Sequence, residues 1–353
     1  MSRIYTMLSS SEKIELMPPP TTLPATNVLF TAAGRRVSLV RQFKAALVQL
    51  GDRGRTITAD VTRSAPAHYV ADAHVLIPPW SSPDYVPRLL EICRHKQVRV
   101  LVPLIDTELA TLARHAVAFA EAGTKVLISS PASIALSQNK RRTHEFFVAL
   151  GVKTPQLLSN SDVASLRNAQ LPVFVKPAEG SSSVGAHKVT TLDQLKFYQS
   201  QTADLMVQEF VAGDEFTIDV YVDFNGVPRC AVPRKRLAVR AGEVSKALTV
   251  KDQSLMAQCI AVVRAMPGAI GCITLQCFRD AGGQISFIEI NARFGGGFPL
   301  TAHAGANYPK WILQERRGEA PDYGGGIAWC DNLCMLRYDD ELIIDGALLE
   351  SGV

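Results

Sequence analysis

The chain has 353 residues, enough for two or three packed domains, with 47% hydrophobic and 20% charged residues in an ordinary globular balance. Its 37 Lys and Arg against 33 Asp and Glu leave a net charge of +4, too diffuse for a phosphate-tracking surface, so no nucleic-acid partner is expected. No run of about 18 apolar residues offers a membrane span, and 7 Cys without CxxC or Cys/His spacing suit a reducing cytoplasm.

Residues 1–25 carry a serine triplet and a proline triplet without an apolar signal core, and read as a flexible extension. Order is expected from Asn27. The apolar run at 28–31 ends in Ala-Ala-Gly, and a helical pattern follows through Val37, Val40, Phe43 and Leu47 to Gly51. Further strands are expected at 56–59, 73–77, 98–102 and 125–128, with helices over 83–96 and 107–122. Alternating strands and helices predict a parallel sheet covered on both faces, spanning residues 26–130. Thr31-Ala32-Ala33-Gly34-Arg35-Arg36 lacks GxGxxG, which argues against a dinucleotide site. Asp106 and Glu108 follow a strand end, where they could hold a substrate amine or cap a helix.

A helical connector occupies 131–150, and beyond Pro172 the pattern changes to strands and tight turns. Strands are expected at 173–176, 205–210 and 216–223, then a helix over 254–265. A hairpin at 271–278 and 284–291 turns at Asp280-Ala281-Gly282-Gly283, and a last helix covers 309–316. The stretch 233–246, with Arg234, Lys235, Arg236, Arg240 and Lys246, has little hydrophobic periodicity and reads as a solvated charged face, a nucleic-acid contact or an anion site.

Three segments carry chemistry. In Ile285-Ser286-Phe287-Ile288-Glu289-Ile290-Asn291, strand alternation puts Glu289 and Asn291 on one face, with Ile288 and Ile290 in the core. A four-residue turn would set Gln276 opposite Phe287 and diagonal to Glu289, giving three oxygen ligands suited to a hard divalent cation, or simply a polar sheet face. Lys176 ends an apolar strand and precedes Gly180, Ser181, Ser182, Ser183, Val184 and Gly185, a loop whose backbone N–H groups can approach phosphate. The strand through Gln208 and Glu209 breaks at Gly213, an edge that suits an adenine or is a plain turn.

Taken in order, Lys140, Lys176-Pro177, the 180–185 loop, Gln208-Glu209 with Glu215, Gln276 and Glu289-Ile290-Asn291-Ala292-Arg293 resemble the ATP-grasp superfamily, over roughly residues 26–320. The resemblance is nearest to single-unit relatives of the carbamoyl phosphate synthase large subunit. It implies a multidomain α/β and α+β chain: a parallel-sheet pre-ATP-grasp domain, a small lobe with the connector over 131–210, and a larger lobe over 211–353. It implies that Lys140 and Lys176 contact ATP phosphates under the 180–185 loop, that Gln208, Glu209 and Val211 meet the adenine, and that Glu215 holds the ribose. Gln276, Glu289 and Asn291 would bind two Mg2+ ions, replaceable by Mn2+, and Arg293 would face the transferred phosphoryl group, with Arg234 and Arg240 as candidates for a substrate carboxylate or the γ-phosphate. Gln276 departs from the acid common at that position, and the region past residue 330 is short. The implied activity is ATP-dependent joining of a small carboxylic acid to an amine through an acyl phosphate, with a homodimer compatible. Carbamoyl-phosphate-type phosphorylation of bicarbonate or carbamate, and a non-catalytic ATP-binding regulator, are the alternatives.

Overall fold

The structure, a computed structural model, describes residues 24–180, 184–240 and 242–350. Most of the expected N-terminal extension, and Ser181, Ser182 and Ser183, lie outside them.

Strands β1 (Asn27–Thr31), β2 (Thr56–Asp60), β3 (Ala73–Leu76), β4 (Val98–Pro103) and β5 (Lys125–Val126) form a parallel sheet in the order β3-β2-β1-β4-β5. Helix α1 (Val37–Gln49) buries Leu39, Val40, Phe43, Ala46 and Leu47, the one-sided stripe its spacing predicts. Helix α2 (Tyr85–His95) follows β3. The helix expected over 107–122 is two, α3 (Asp106–Arg114) and α4 (Ala116–Glu121), because His115 leaves helical geometry at φ −104° and ψ 10°. Strand order reverses between β1 and β4, so the loops after them part and leave a crevice at the strands' carboxyl ends.

The connector is α5 (Pro131–Gln138) and α6 (Lys140–Ala149). Asn139 separates them, and its side chain accepts from the backbone N–H groups of Arg141 and Arg142 as an N-cap. A small antiparallel sheet has β6 (Val173–Pro177) between β7 (His187–Val189) and β8 (Leu205–Glu209). On β6, Val173 and Val175 turn into a core with Leu166, Val189, Leu195 and Val207, which sends Phe174 and Lys176 to the opposite face.

That face meets a six-stranded sheet of β9 (Asp214–Val222), β10 (Pro228–Arg240), β11 (Glu243–Thr249), β12 (Gly271–Arg279), β13 (Ile285–Asn291) and β14 (Cys334–Leu336), ordered β13-β12-β9-β10-β11-β14. Two findings go beyond the sequence reading. The basic stretch is carried on two paired strands: Arg234 to Arg240 complete β10, and β11 beside it carries Lys246. The hairpin register also differs, since Gln276 pairs directly with Glu289 while Cys277 pairs with Phe287, leaving Ile288 as a bulge. Phe287 and Ile290 are an odd number of residues apart and both fully buried, and only an extra residue lets both reach the core. Ile288 is therefore half-buried, not in the core.

The core of the parallel sheet and that of the large sheet are one continuous cluster, running from Val28 and Phe43 through Phe147 to Phe287 and Trp311. The small sheet has a core of its own.

Candidate active site

A cavity of about 370 Å³ lies between the small sheet and the large one. Alternation on β6 supplies Phe174 and Lys176, and β8 supplies Gln208 and Glu209, with Phe210 and Val211 just beyond. The large sheet contributes Glu215, Arg236, Val239, Gln276, Phe278, Ile288 and Glu289, and Lys140, Gly180 and Val184 close the rim. Of the residues singled out in sequence, Lys140, Lys176, Gly180, Val184, Gln208, Glu209, Val211, Glu215, Gln276 and Glu289 thus share one cavity. Gly185, at φ +72°, turns the loop behind it; a Cβ there would meet Pro177 Cγ at 2.9 Å.

The electrostatics of this cavity invite an anion. Lys176 is 9% exposed, makes no ion pair among the described residues, and its ammonium donates only a long bond of 3.4 Å to the Ile288 carbonyl. Burial pushes its pKa down to about 8, against the pull of Glu289. Lys140 Nζ donates to Gly180 O at 2.6 Å, and burial lowers its pKa too. Opposite them, Asn291 Nδ2 donates to Glu289 Oε1 at 3.2 Å, and Arg293 Nη2 donates to Asn291 Oδ1 at 3.5 Å. Glu215 is taken by an ion pair with Arg236, and burial raises its pKa. The walls are apolar: Phe174, Phe210, Phe278, Ile288 and Val239. Sequence reading missed them, although Phe174 and Phe278 share strand faces with Lys176 and Gln276 and could have been found by period two.

Polyphosphate fits the lysine side, and a flat heteroaromatic base fits the phenylalanine walls and the backbone at 208–211. For a divalent cation the cavity wall offers one carboxylate, Glu289, with the Gln276 amide, and the buried Asn291 amide lies outside the lining, hydrogen-bonded to Glu289; no group of three His, Cys, Asp or Glu gathers among the described residues. That set fits magnesium shared with phosphate oxygens rather than an all-protein cage.

Arg293 lies outside this cavity's lining and bridges to the parallel-sheet domain. Its Nε and Nη2 donate to Asp106 Oδ1 and Oδ2 at 2.8 and 2.5 Å, and Nη1 donates to Phe294 O. Asp106 is therefore engaged by a guanidinium rather than open to a substrate amine. Glu108 is fully buried, accepting from the Leu104 and Ile105 N–H groups and from the Tyr85 hydroxyl, and burial raises its pKa. It fastens the loop that carries Asp106.

The two arginine candidates are placed elsewhere. Arg234 is 0% exposed and donates to Asp219 at 3.0 and 2.9 Å, with the Thr274 and Thr301 hydroxyls donating to the same carboxylate. The Gly297 backbone lies against it, so close that a Cβ there would come within 2.1 Å of Arg234 Nη1. Arg240 is exposed and paired with Asp339 at 2.8 Å. In this geometry Arg234 shapes the glycine turn after β13 from within, and Arg240 stands on the surface.

A second cleft, of about 420 Å³, opens at the crevice between β1 and β4. Gly34, Arg35 and Arg36 line it from the start of α1, Asp106 from the β4 side, and Arg293, Gly295 and Gly296 from beyond β13. Glu243 and Arg337 close it; the short region past residue 330 thus supplies both an edge strand and this arginine.

Two antiparallel sheets gripping a lysine-bearing cavity, with a parallel-sheet domain behind, make a clamp of the ATP-grasp class. Three family descriptions match along the chain: "PylC-like, N-terminal domain" over residues 28–127, "D-ala D-ala ligase C-terminus" over 147–241, and "ATP-grasp in the biosynthetic pathway with Ter operon" over 201–326. A carbamoyl-phosphate synthase of Methanobrevibacter smithii is 28% identical over 141 residues, 38% of each protein. A D-alanine–D-alanine ligase of Neisseria gonorrhoeae is 26% identical over 195 residues, 50% of this chain and 62% of that protein. The chain thus matches less than two thirds of the length of either relative. Among solved structures, the biotin carboxylase domain of Hydrogenobacter thermophilus 2-oxoglutarate carboxylase superposes with a TM-score of 0.69 at 17% identity, covering 88% of this chain and 73% of that one. The L-amino acid ligase from Bacillus licheniformis gives 0.63 at 17% identity, covering 86% and 77%. The chain belongs to the ATP-grasp superfamily.

Proposed function

We propose that the chain is an ATP-dependent carboxylate–amine ligase that releases ADP and phosphate. The observation that carries this reading is Lys176, a buried ammonium without an ion-pair partner among the described residues, facing Glu289 across a cavity with aromatic walls. A buried cation is costly until an anion reaches it, and a nucleotide polyphosphate is the anion this cavity suits. In this reading Lys140, Lys176 and the 180–185 loop hold the phosphates, the 208–211 backbone meets the base, and Glu215 meets the ribose. Glu289, Gln276 and Asn291 would hold Mg2+, which when bound neutralises phosphate charge. Arg293, held by Asp106 and lining the second cleft beside Asn291, would lend its positive charge to a carboxylate drawn toward the nucleotide. The carboxylate oxygen takes the terminal phosphoryl group, ADP leaves, and an amine then displaces phosphate to form the amide. The corresponding units are 26–130 for the parallel-sheet domain, 131–210 for the connector and small lobe, and 211–353 for the large lobe.

The test is a screen for substrate-dependent ADP release across small carboxylates and amines with magnesium present. Formation of AMP and pyrophosphate would overturn the reading. Asn291→Ala separates a ligase from a nucleotide-binding regulator: a ligase loses turnover by orders of magnitude while nucleotide affinity falls little.

A further inference from the structure

The second cleft has a charge imbalance that the nucleotide does not address. Four guanidinium groups line it, those of Arg35, Arg36, Arg293 and Arg337, against two carboxylates. Both carboxylates are already taken. Asp106 is paired with Arg293, and Glu243 accepts from Arg337 Nη1 at 3.0 Å, while Arg337 Nη2 donates to Gly296 O at 2.6 Å. The surplus of two positive charges therefore belongs to Arg35 and Arg36.

Arg36 is the telling one. Its guanidinium has no hydrogen-bond or ion-pair partner among the described residues, yet it is half-buried beside Gly296. Burial first, and the neighbouring Arg293 second, lower its pKa to about 10. Glu243 flanks the same face of Gly296 and pulls on Arg36 without closing an ion pair with it: a Cβ on that glycine would lie 3.1 Å from Arg36 Nη1 and 3.2 Å from the Glu243 carboxyl carbon. The absent side chain keeps that space clear. Ser38 and Leu39 of the first turn of α1 line the same cleft, and that turn has no side-chain cap. A desolvated guanidinium left unpaired is unfavourable by itself and becomes favourable when an oxyanion docks on it.

We propose that the molecule activated here carries an oxyanionic group besides the carboxylate that reacts, and that Arg35 and Arg36, at the start of α1, receive it. This rests on the ligase reading for the fate of the reacting carboxylate, whereas the oxyanion site stands on its own geometry. A second carboxylate and a phosphomonoester share the chemistry required. The cleft, at about 420 Å³, has room for a substrate well beyond acetate size.

The full chain without nucleotide is titrated calorimetrically with acetate, glutarate and 3-phosphoglycerate, in wild type, Arg36→Lys, Arg36→Gln and Arg35→Gln/Arg36→Gln. Wild type should bind glutarate or 3-phosphoglycerate at least about tenfold more tightly than acetate, as a charged bidentate contact requires. The tighter of the two identifies the group. Arg36→Gln should erase that preference and Arg36→Lys should restore part of it, with the melting temperature not lowered, because Arg36 has no hydrogen-bond or ion-pair partner among the described residues to lose. Acetate binding as tightly as the dianions, or an Arg36→Gln protein that keeps the preference, would overturn the proposal. A parallel MgADP titration separates the two readings: its failure in wild type counts against the nucleotide site, while the anion titration still decides this one.

Discussion

Replacing Lys176 by Met should make the nucleotide-free protein more stable and unable to bind nucleotide. Methionine keeps the unbranched apolar stem and deletes the ammonium, so packing on β6 is conserved. The ammonium is 9% exposed, and its pKa falls from the usual 10.5 to about 8. At about 1.4 kcal/mol for each tenfold change in proton affinity, keeping it charged in the fold costs on the order of 3 kcal/mol. The sign follows from linkage. Between pH 8 and 10.5 the unfolded chain holds a proton that the folded chain has lost, so wild-type stability rises with pH there relative to the variant. Urea denaturation at pH 7 should show Lys176→Met more stable by roughly 2–3 kcal/mol, with the gap closing as pH rises from 8 toward 10. MgADP affinity, measured by calorimetry at pH 7, should drop at least a hundredfold in the variant, and in wild type should weaken above pH 8. A variant that is less stable at pH 7, or a gap that does not change with pH, would refute the claim that this lysine is held as a strained cation awaiting phosphate.

Arg234→Met should lower stability by about 3–5 kcal/mol, since Asp219 would remain buried without its guanidinium, whereas Arg240→Gln should leave the melting temperature unchanged. Asp106→Asn loosens Arg293 and should cut kcat/KM about ten- to a hundredfold, while MgADP affinity, read by calorimetry, stays within about threefold. Gly297→Ala should lower the melting temperature by several degrees, because its methyl would overlap Arg234 and Val244 in a packed interior. Glu108→Gln concerns pH. Burial raises the Glu108 pKa, so its protonated form stabilises the fold at low pH and that contribution is lost as pH climbs above the usual carboxylate range. The variant should match wild type in acid and exceed it near neutrality, as followed by thermal melts across pH.

Much of this was legible in one dimension because it is local. The strand–turn–strand of 271–291, the lysine ending an apolar strand at 176 and the helical stripe after Gly34 each follow from period and turn chemistry within a few residues. What failed was non-local. The bulge at Ile288 answers to Phe287 packing against Phe147 of α6 with ring centroids 5.6 Å apart, a contact no alternation count contains. Arg234 resembles a solvent-facing charge until its partner is known, and Asp219 is on the neighbouring strand, itself an acid amid Phe216, Ile218, Val220 and Val222. An acid in such a run is a signal that a buried cation lies nearby. Arg36 and Arg337 are 301 positions apart in the numbering and share a cleft only because β14 pairs with β11.

The separation of the small sheet's core from the main apolar cluster has a mechanical meaning. The parallel and six-stranded sheets are welded by one apolar mass and strapped again by the Arg293–Asp106 pair, so prying them apart would expose that mass to water. The small sheet keeps its own oil and is tied to α6 by polar contacts, Lys140 N–H to the Ala178 carbonyl and Arg141 to Asp204. It is a jaw beside an anvil: shifting it would expose none of the anvil's apolar mass, and the four arginines of the second cleft, all carried by the anvil, would keep their register.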